Sequence, residues 1–408
     1  MASKPEAGAP APPATLPAEP LLRLLGGTGS EFGTRTFLVG GPVRDLLLGL
    51  SGPDLDIAVE SSPDLVGRAL AERFGTRFIY HRRFMSGTVQ LADGSHIDIT
   101  RTRTEEYPGP AVLPRVRPAG IEDDLVRRDF TINALALELS PGSFGRLIDP
   151  HCGRLDLARR RVRVLHDASF RDDPTRAYRA IRFAVRLGFE IEPGTLALMR
   201  AAIREGFPGL LTPERVLYEL RLVCAEPLVL PMVEALLREK LLHACFDSVA
   251  ERGLLRRLQR LAGIDPELLF VFLLSRLSLT DRFPVTTGER DAARAVREFD
   301  RLRPRLARAR RPSTVHRLLA PIPGEALEVL ARTEAAAVRR PIRLYLDRLR
   351  HVRTAVDGRF LRSLGIRPGP AFRRIIEKVR AARLDGRVGT REQEIELGRR
   401  LARRQGNG

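Results

Sequence analysis

The chain has 408 residues, 43% of them hydrophobic, enough for two or more domains with separate cores and ordinary for a globular protein. No apolar run is long enough to span a bilayer, so a soluble chain is expected. Its three cysteines, Cys152, Cys224 and Cys245, lack CxxC or zinc spacing, which argues against a disulfide scaffold or structural metal and for a reducing cytoplasm.

The net charge of +19 is unevenly placed. Residues 301–408 hold 28 Lys and Arg against 10 Asp and Glu, whereas the first 300 hold 41 against 40. A basic stretch of that size suits a long polyanion; an Arg-rich solvated face reflecting a GC-rich gene is the plainer alternative.

In chain order, residues 1–20 are Ala/Pro-rich, lack the apolar core of a signal peptide and read as a disordered leader. A short helix is expected over 21–30. "TFLVGG" (36–41) reads as a buried strand, and "PVRDLLLG" (42–49) as a helix opened by Pro and stopped by Gly. "DLDIAVE" (54–60) reads as a second strand and "SPDLVGRALAERFG" (62–75) as a helix. Three strand-like stretches follow: "TRFIYHRR", "SGTVQLA" and "SHIDITRT". Residues 105–120 are Pro-rich and read as an extended loop. Beyond about residue 155 a 3.6-residue periodicity dominates. The expected class is therefore α+β, a head with a small mixed sheet and helices, followed by an all-helical remainder.

Four stretches carry chemistry. Asp54 and Asp56 sit two apart on a strand and so face one way. The plain reading is turn chemistry after Gly52-Pro53; the sharper one is a divalent cation held between hard oxygen ligands. Asp98, between two isoleucines, would join them if its strand were a neighbour, building a two-metal phosphoryl-transfer site. Gly40, Gly41 and Arg44 combine close backbone approach, a helix N-terminus and a guanidinium, all suited to phosphate, unless they merely form a strand–turn–helix corner. "DLVRRDFTINALAL" (124–137) places Arg127, Arg128, Asp129 and Asn133 against a buried run, where a nucleotide or internal salt bridges would satisfy them. In "RDDPTRAYRAIRF" (171–183), Asp173, Arg176, Arg179 and Arg182 recur every three residues, as a surface ladder or as a carboxylate and guanidinium offered to a base edge.

These motifs, with "LIDPHCGRLDL" and "PERVLYEL", resemble in content and order the class II tRNA nucleotidyltransferase and bacterial poly(A) polymerase family. Residues 364–388 also resemble the C-terminal region of bacterial tRNA-type members. The resemblance implies a polymerase β-like nucleotidyltransferase head (21–155), a helical neck that selects the nucleotide (156–230), a helical body (231–300) and a basic tail (301–408) gripping the tRNA elbow and acceptor stem. It makes Asp54 and Asp56 ligands of Mg²⁺ and Asp98 the third catalytic carboxylate. Gly40, Gly41, Arg44, Arg128, Asp129 and Asn133 would bind the nucleotide; Asp173 and Arg176 would choose CTP or ATP, with Arg179 and Arg182 behind them. Asp172 departs from the Glu often found there. Residues 102–116 correspond to a loop tied in the family to the switch from C to A. The implied activity is addition of CMP and AMP to tRNA 3′ ends with release of pyrophosphate. Split-system CC- or A-adding enzymes, a poly(A) polymerase and a non-catalytic RNA-binding protein are the alternatives.

Overall fold

The computed structural model describes residues 19–50 and 55–406. Asp54 and nearly all of the expected leader fall outside them. Two compact units emerge: Met1–Glu219 with Pro231–Cys245, and Leu220–Leu230 with Phe246–Gly408.

The first unit is built on a sheet. Helix α1 (Glu19–Glu31) leads into β1 (Thr36–Val39), α2 (Gly41–Leu47), β2 (Leu55–Val59) and α3 (Pro63–Phe74). Strands β3 (Phe78–His81), β4 (Ser86–Gln90) and β5 (His96–Arg101) follow, then β6 (Arg103–Glu106) and β7 (Arg115–Pro118). Helix α4 (Ile121–Val126), β8 (Ala136–Glu138) and β9 (Leu147–Ile148) complete the sheet region. The seven-stranded order is β3-β4-β5-β2-β1-β8-β9. Only the β2–β5 pairing is parallel, so the sheet is mixed as expected. Helix α3 ends where the sequence places its stop: Gly75 adopts φ 63°, the left-handed cap that glycine takes at little cost.

Residues 105–120 are not one extended loop. β6 and β7 pair antiparallel from Arg103↔Pro118 to Glu106↔Arg115. Pro108, Pro110 and Pro114 fall in the connection, and Pro118 at the ladder's end, so the prolines spare the paired backbone.

Alternation along the strands sorts core from site. Phe37, Val39 and Ala58 pack with Ile121 and Leu125 of α4 and with Ala134 and Ala136. Asp56 lies two residues before Ala58, on the same face, but beyond that core, and it is exposed. Ile57, on the other face, is fully buried.

Helices α5 (Gly153–Ala158), α6 (Ser169–Asp172), α7 (Thr175–Leu187), α8 (Pro193–Arg204) and α9 (Pro213–Cys224) continue the chain. The strand signal does not vanish here: Arg161–Val162 and Glu190–Ile191 form a short parallel pair. Helix α7 is buried almost all round, with Ala177, Tyr178, Ala180, Ile181 and Ala184 in the core and Arg176 and Arg182 buried with them.

The second unit is helical among the described residues apart from an isolated bridge, Val249↔Leu277. Its centre is the apolar helix Pro266–Leu274, buried from Leu269 to Leu274. It packs against Thr287–Glu298, which opens with a Thr286/Glu289 capping box, and against Gly324–Thr333. The last three helices, Gly358–Ser363, Pro370–Leu384 and Arg391–Gly406, close around Val356, Leu361, Ile375, Val379 and Ala402. No helix of the described residues is long and apolar enough to cross a membrane.

Candidate active site

The carboxylates come first. In the parallel β2–β5 register Asp56 stands directly opposite Asp98, so two strands well separated in sequence deliver both side chains to one face. Asp98 accepts from Thr88 Oγ1 at 2.5 Å and lies 3.6 Å from His96 Nε2. Asp54 is outside the described residues, and among those described no cluster of three or more His, Cys, Asp or Glu forms a metal-binding group. The Asp56–Asp98 pair is an all-oxygen donor set, the chemistry a hard divalent cation prefers.

The turn from β1 into α2 lies beside this pair. Gly40 has φ 74°, a conformation that favours glycine, and it lies close under the Arg128 guanidinium, 2.8 Å from where a Cβ would sit. Arg44, in the first turn of α2, is 3% exposed. Its Nε and Nη2 donate to Asp45 Oδ1 at 2.8 Å, and Nη1 donates to Asn133 Oδ1 at 2.7 Å.

From Asn133 the network runs on. Asn133 Nδ2 donates to Asp129 Oδ1 at 3.0 Å, and Asp129 Oδ2 accepts from Arg179 Nε and Nη2 at 2.8 and 2.6 Å. Burial would push the Asp129 carboxyl up, but Arg179 and Asn133 outweigh it and hold it below the usual range. Asp124 behaves alike: burial opposes ionisation, and Arg127 and Arg128 prevail. Internal partners therefore already satisfy much of the "RRDFTIN" stretch, the plainer of its two sequence readings.

Asp173 is not on the helix with its arginines. It adopts an extended conformation (φ −133°, ψ 93°) before Pro174, and α7 starts at Thr175. A residue preceding proline is driven out of the helical region. Its carboxylate accepts from Thr175 N and Oγ1 and, at 2.6 Å, from Arg215 Nη2. Arg176 is 4% exposed and held by Ser169 Oγ at 2.6 Å and the Arg127 carbonyl at 2.8 Å. Arg182 meets Glu219 at 3.5 Å; burial raises the Glu219 carboxyl, with Arg182 opposing it only in part.

Gly40, Gly41, Arg44, Asp56, Arg128, Asp129, Asn133, Asp173, Arg176, Arg179 and Arg182 all line one cavity of about 470 Å³. Seven arginines and four carboxylates line it, so the cavity is net positive. Four of those guanidinium carbons, from Arg44, Arg179, Arg182 and Arg186, lie within 6 Å of the Phe183 ring centroid. Such crowding of like charge suits a polyanionic ligand. Asp98 lines an adjoining cavity of about 390 Å³ that shares Asp56, Arg127 and Arg128 with the first.

The residues from 36 to 163 match the poly A polymerase head domain. Over 93% of its length the chain is 32% identical to the A-adding tRNA nucleotidyltransferase of Halalkalibacterium halodurans, covering 91% of that protein. This chain belongs to the tRNA nucleotidyltransferase family. It is also 35% identical over 95% of its length to an A-adding tRNA nucleotidyltransferase of Geobacter sulfurreducens, of which it spans about half (47%). Among solved structures, a CCA-adding enzyme with ATP superposes with a TM-score of 0.78 at 28% identity, covering 92% of this chain and 93% of that one. The Thermotoga maritima CCA-adding enzyme with tRNA gives 0.73 at 28% identity, covering 93% and 94%.

For a member of this family, five residues at or beside the cavity escaped the sequence reading: Glu105, Tyr107, Phe183 and Arg186 line it, and Arg215 holds Asp173. Glu105 accepts from Arg103 and Arg127, and Tyr107 donates to Glu105 at 2.9 Å; burial, then Glu105, raises the Tyr107 phenol. Both come from the β6–β7 hairpin, whose proline content hid the pairing. Arg215 ties Asp173 to the Ala111 carbonyl in the hairpin connection.

Proposed function

We propose that this chain transfers a nucleotide from ATP, or from CTP and ATP, to the 3′ end of tRNA, releasing pyrophosphate. The observation that carries the reading is the arginine-lined cavity meeting the Asp56–Asp98 pair at Asp56. The triphosphate lies against Gly40, Gly41, Arg44 and the neighbouring guanidinium groups. The 3′-terminal hydroxyl oxygen attacks the α-phosphorus, the bond to the β-phosphate oxygen breaks, and pyrophosphate departs. The hydroxyl proton passes to a carboxylate of the pair. Asp54 and Asp56 would hold Mg²⁺, which supplies Lewis-acid stabilisation of the phosphate charge. Asp173 and Arg176, fixed in place by Arg215, Ser169 and the Arg127 carbonyl, would read the base edge. Head (21–155), neck (156–230), body (231–300) and tail (301–408) would follow one another along the chain, the tail holding tRNA. Work on tRNA would put the protein in the cytoplasm.

AMP addition alone is favoured by the relatives that align along nearly the whole chain, which are named A-adding. Complete CCA addition is the second reading, favoured by a full-length structural match to a CCA-adding enzyme in complexes with ATP and with CTP. The test is single-nucleotide extension with Mg²⁺ of one tRNA ending before CCA, after C and after CC, each offered CTP, ATP or both. Extension only of the CC-ended tRNA, by one A, supports the first reading; C, C and A in turn supports the second. Long A tracts on an unrelated RNA would instead indicate a poly(A) polymerase. Binding without any product would reject catalysis.

A further inference from the structure

We infer that the second cavity, the one holding Asp98, is the seat of the primer's 3′-terminal nucleoside, and that the Phe84 ring is the platform on which its base stacks. The inference rests on the nucleotidyl transfer proposed above. In-line displacement needs the attacking hydroxyl and the leaving pyrophosphate on opposite sides of the phosphorus. With the triphosphate in the arginine-lined cavity, the hydroxyl has to come from across Asp56. That is where the second cavity opens, with Asp98 beside Asp56 in register.

Its lining fits a nucleoside. Thr100 follows Asp98 by two residues on β5, and Ser86 of β4 stands opposite Thr100, so two hydroxyls flank the carboxylate on one face. They offer hydrogen bonds to a ribose. Phe84 ends a tight 3-10 turn two residues before the start of β4, closed by Met85 at φ 48°. Phe84 is 53% exposed although it lines the cavity. The Phe84 carbonyl accepts from Arg103 Nη1 at 3.0 Å, which ties this turn to the base of the β6–β7 hairpin. An aromatic face held at the rim of a polar cleft is the usual device for seating an unpaired base, tolerant of base identity. Arg103, also lining the cavity, adds positive charge for the phosphate that precedes the terminal nucleoside.

The test compares wild type, Phe84→Ala and Phe84→Trp on a CC-ended tRNA and on the same tRNA with an abasic terminal residue. Phe84→Ala is expected to raise the KM for tRNA about tenfold while leaving the KM for ATP unchanged, and Phe84→Trp to restore it. Wild type is expected to lose about tenfold on the abasic primer, and Phe84→Ala to lose nothing further. Equal abasic losses in wild type and Phe84→Ala, or a rise in the KM for ATP matching that for tRNA, would overturn the inference. A second measurement needs no turnover: 2-aminopurine at the tRNA 3′ end should be quenched on binding wild type and much less on binding Phe84→Ala. Quenching by an inactive wild-type protein that depends on the ring would keep the seat and reject the reaction. Turnover with ring-independent quenching would keep the reaction and reject the seat.

Discussion

The protein uses arginine in two opposite ways. Around the cavity of the first unit, Arg44, Arg176 and Arg182 are buried, and each is held by a named oxygen. Over residues 301–406, 24 of the 28 Lys and Arg are exposed, against ten acids. A buried guanidinium in a fixed fork discriminates between ligands, because a wrong partner leaves costly unpaired groups. An exposed one attracts any phosphate backbone and loses strength as salt rises. On the function proposed above, the contrast would separate reading a nucleotide from gripping a nucleic acid.

The sharpest way to break that separation is at the carboxylates. Asp56→Asn is expected to lower kcat by about a thousandfold, the scale of losing several kcal/mol of charge stabilisation, with tRNA binding unchanged by filter or fluorescence titration. A parallel loss of binding would mean that the grip and the chemistry share residues. Next, Arg176→Ala should reduce the ratio of kcat/KM for preferred over non-preferred nucleotide by about tenfold or more, since paired hydrogen bonds to a base edge are each worth about 1–3 kcal/mol. Arg215→Ala should act in the same direction by freeing Asp173, which it holds at 2.6 Å.

A third prediction concerns the exposed charges. Replacing Arg373, Arg374, Arg399 and Arg400 by Gln should leave kcat intact and flatten the plot of log binding constant against log salt, by about one for each phosphate that is no longer neutralised. A further prediction concerns stability rather than turnover. Asp129→Ala should cost about 2 kcal/mol in chemical denaturation, less than a fully buried pair because Arg179 keeps a third of its side chain in water. The pH dependence follows from the depressed Asp124 and Asp129 carboxyls. Their stabilisation is complete above the ordinary aspartate value near 3.8. It is lost as pH falls through their lower folded values, so acid unfolding of the first unit should begin below about pH 4. Asp129→Ala should weaken that acid dependence; an unchanged profile would show that Asp129 does not contribute to it.

What the sequence made legible divides along physical lines. β1, β2 and α3 were readable because alternation, a Pro start and a Gly stop are local signals. The Asp56–Asp98 pairing was readable only as a condition, since register between strands so far apart in sequence is a property of the folded sheet. Three-residue spacing put Asp173 on the helix with its arginines, but the following proline outweighs periodicity and places it ahead of α7. Arg215 and Tyr107 went unseen because their meaning lies in contacts to Asp173 and Glu105, set by tertiary packing rather than by spacing. At 127–133 the sequence left a nucleotide and internal salt bridges open as partners; the folded chain supplies internal ones, and composition alone does not choose between them.

The parallel register of β2 and β5 has a consequence for assembly. Because side chains alternate, a slip of one residue would carry Asp98 to the opposite face and leave Asp56 facing a different neighbour. The carboxylate pair therefore exists only when the sheet has closed in a single alignment, and no local segment contains it. During refolding, helical signal should return before the first nucleotide is transferred. On the function proposed above, recovery of nucleotide transfer would report that this register has formed, which returning helical signal alone does not.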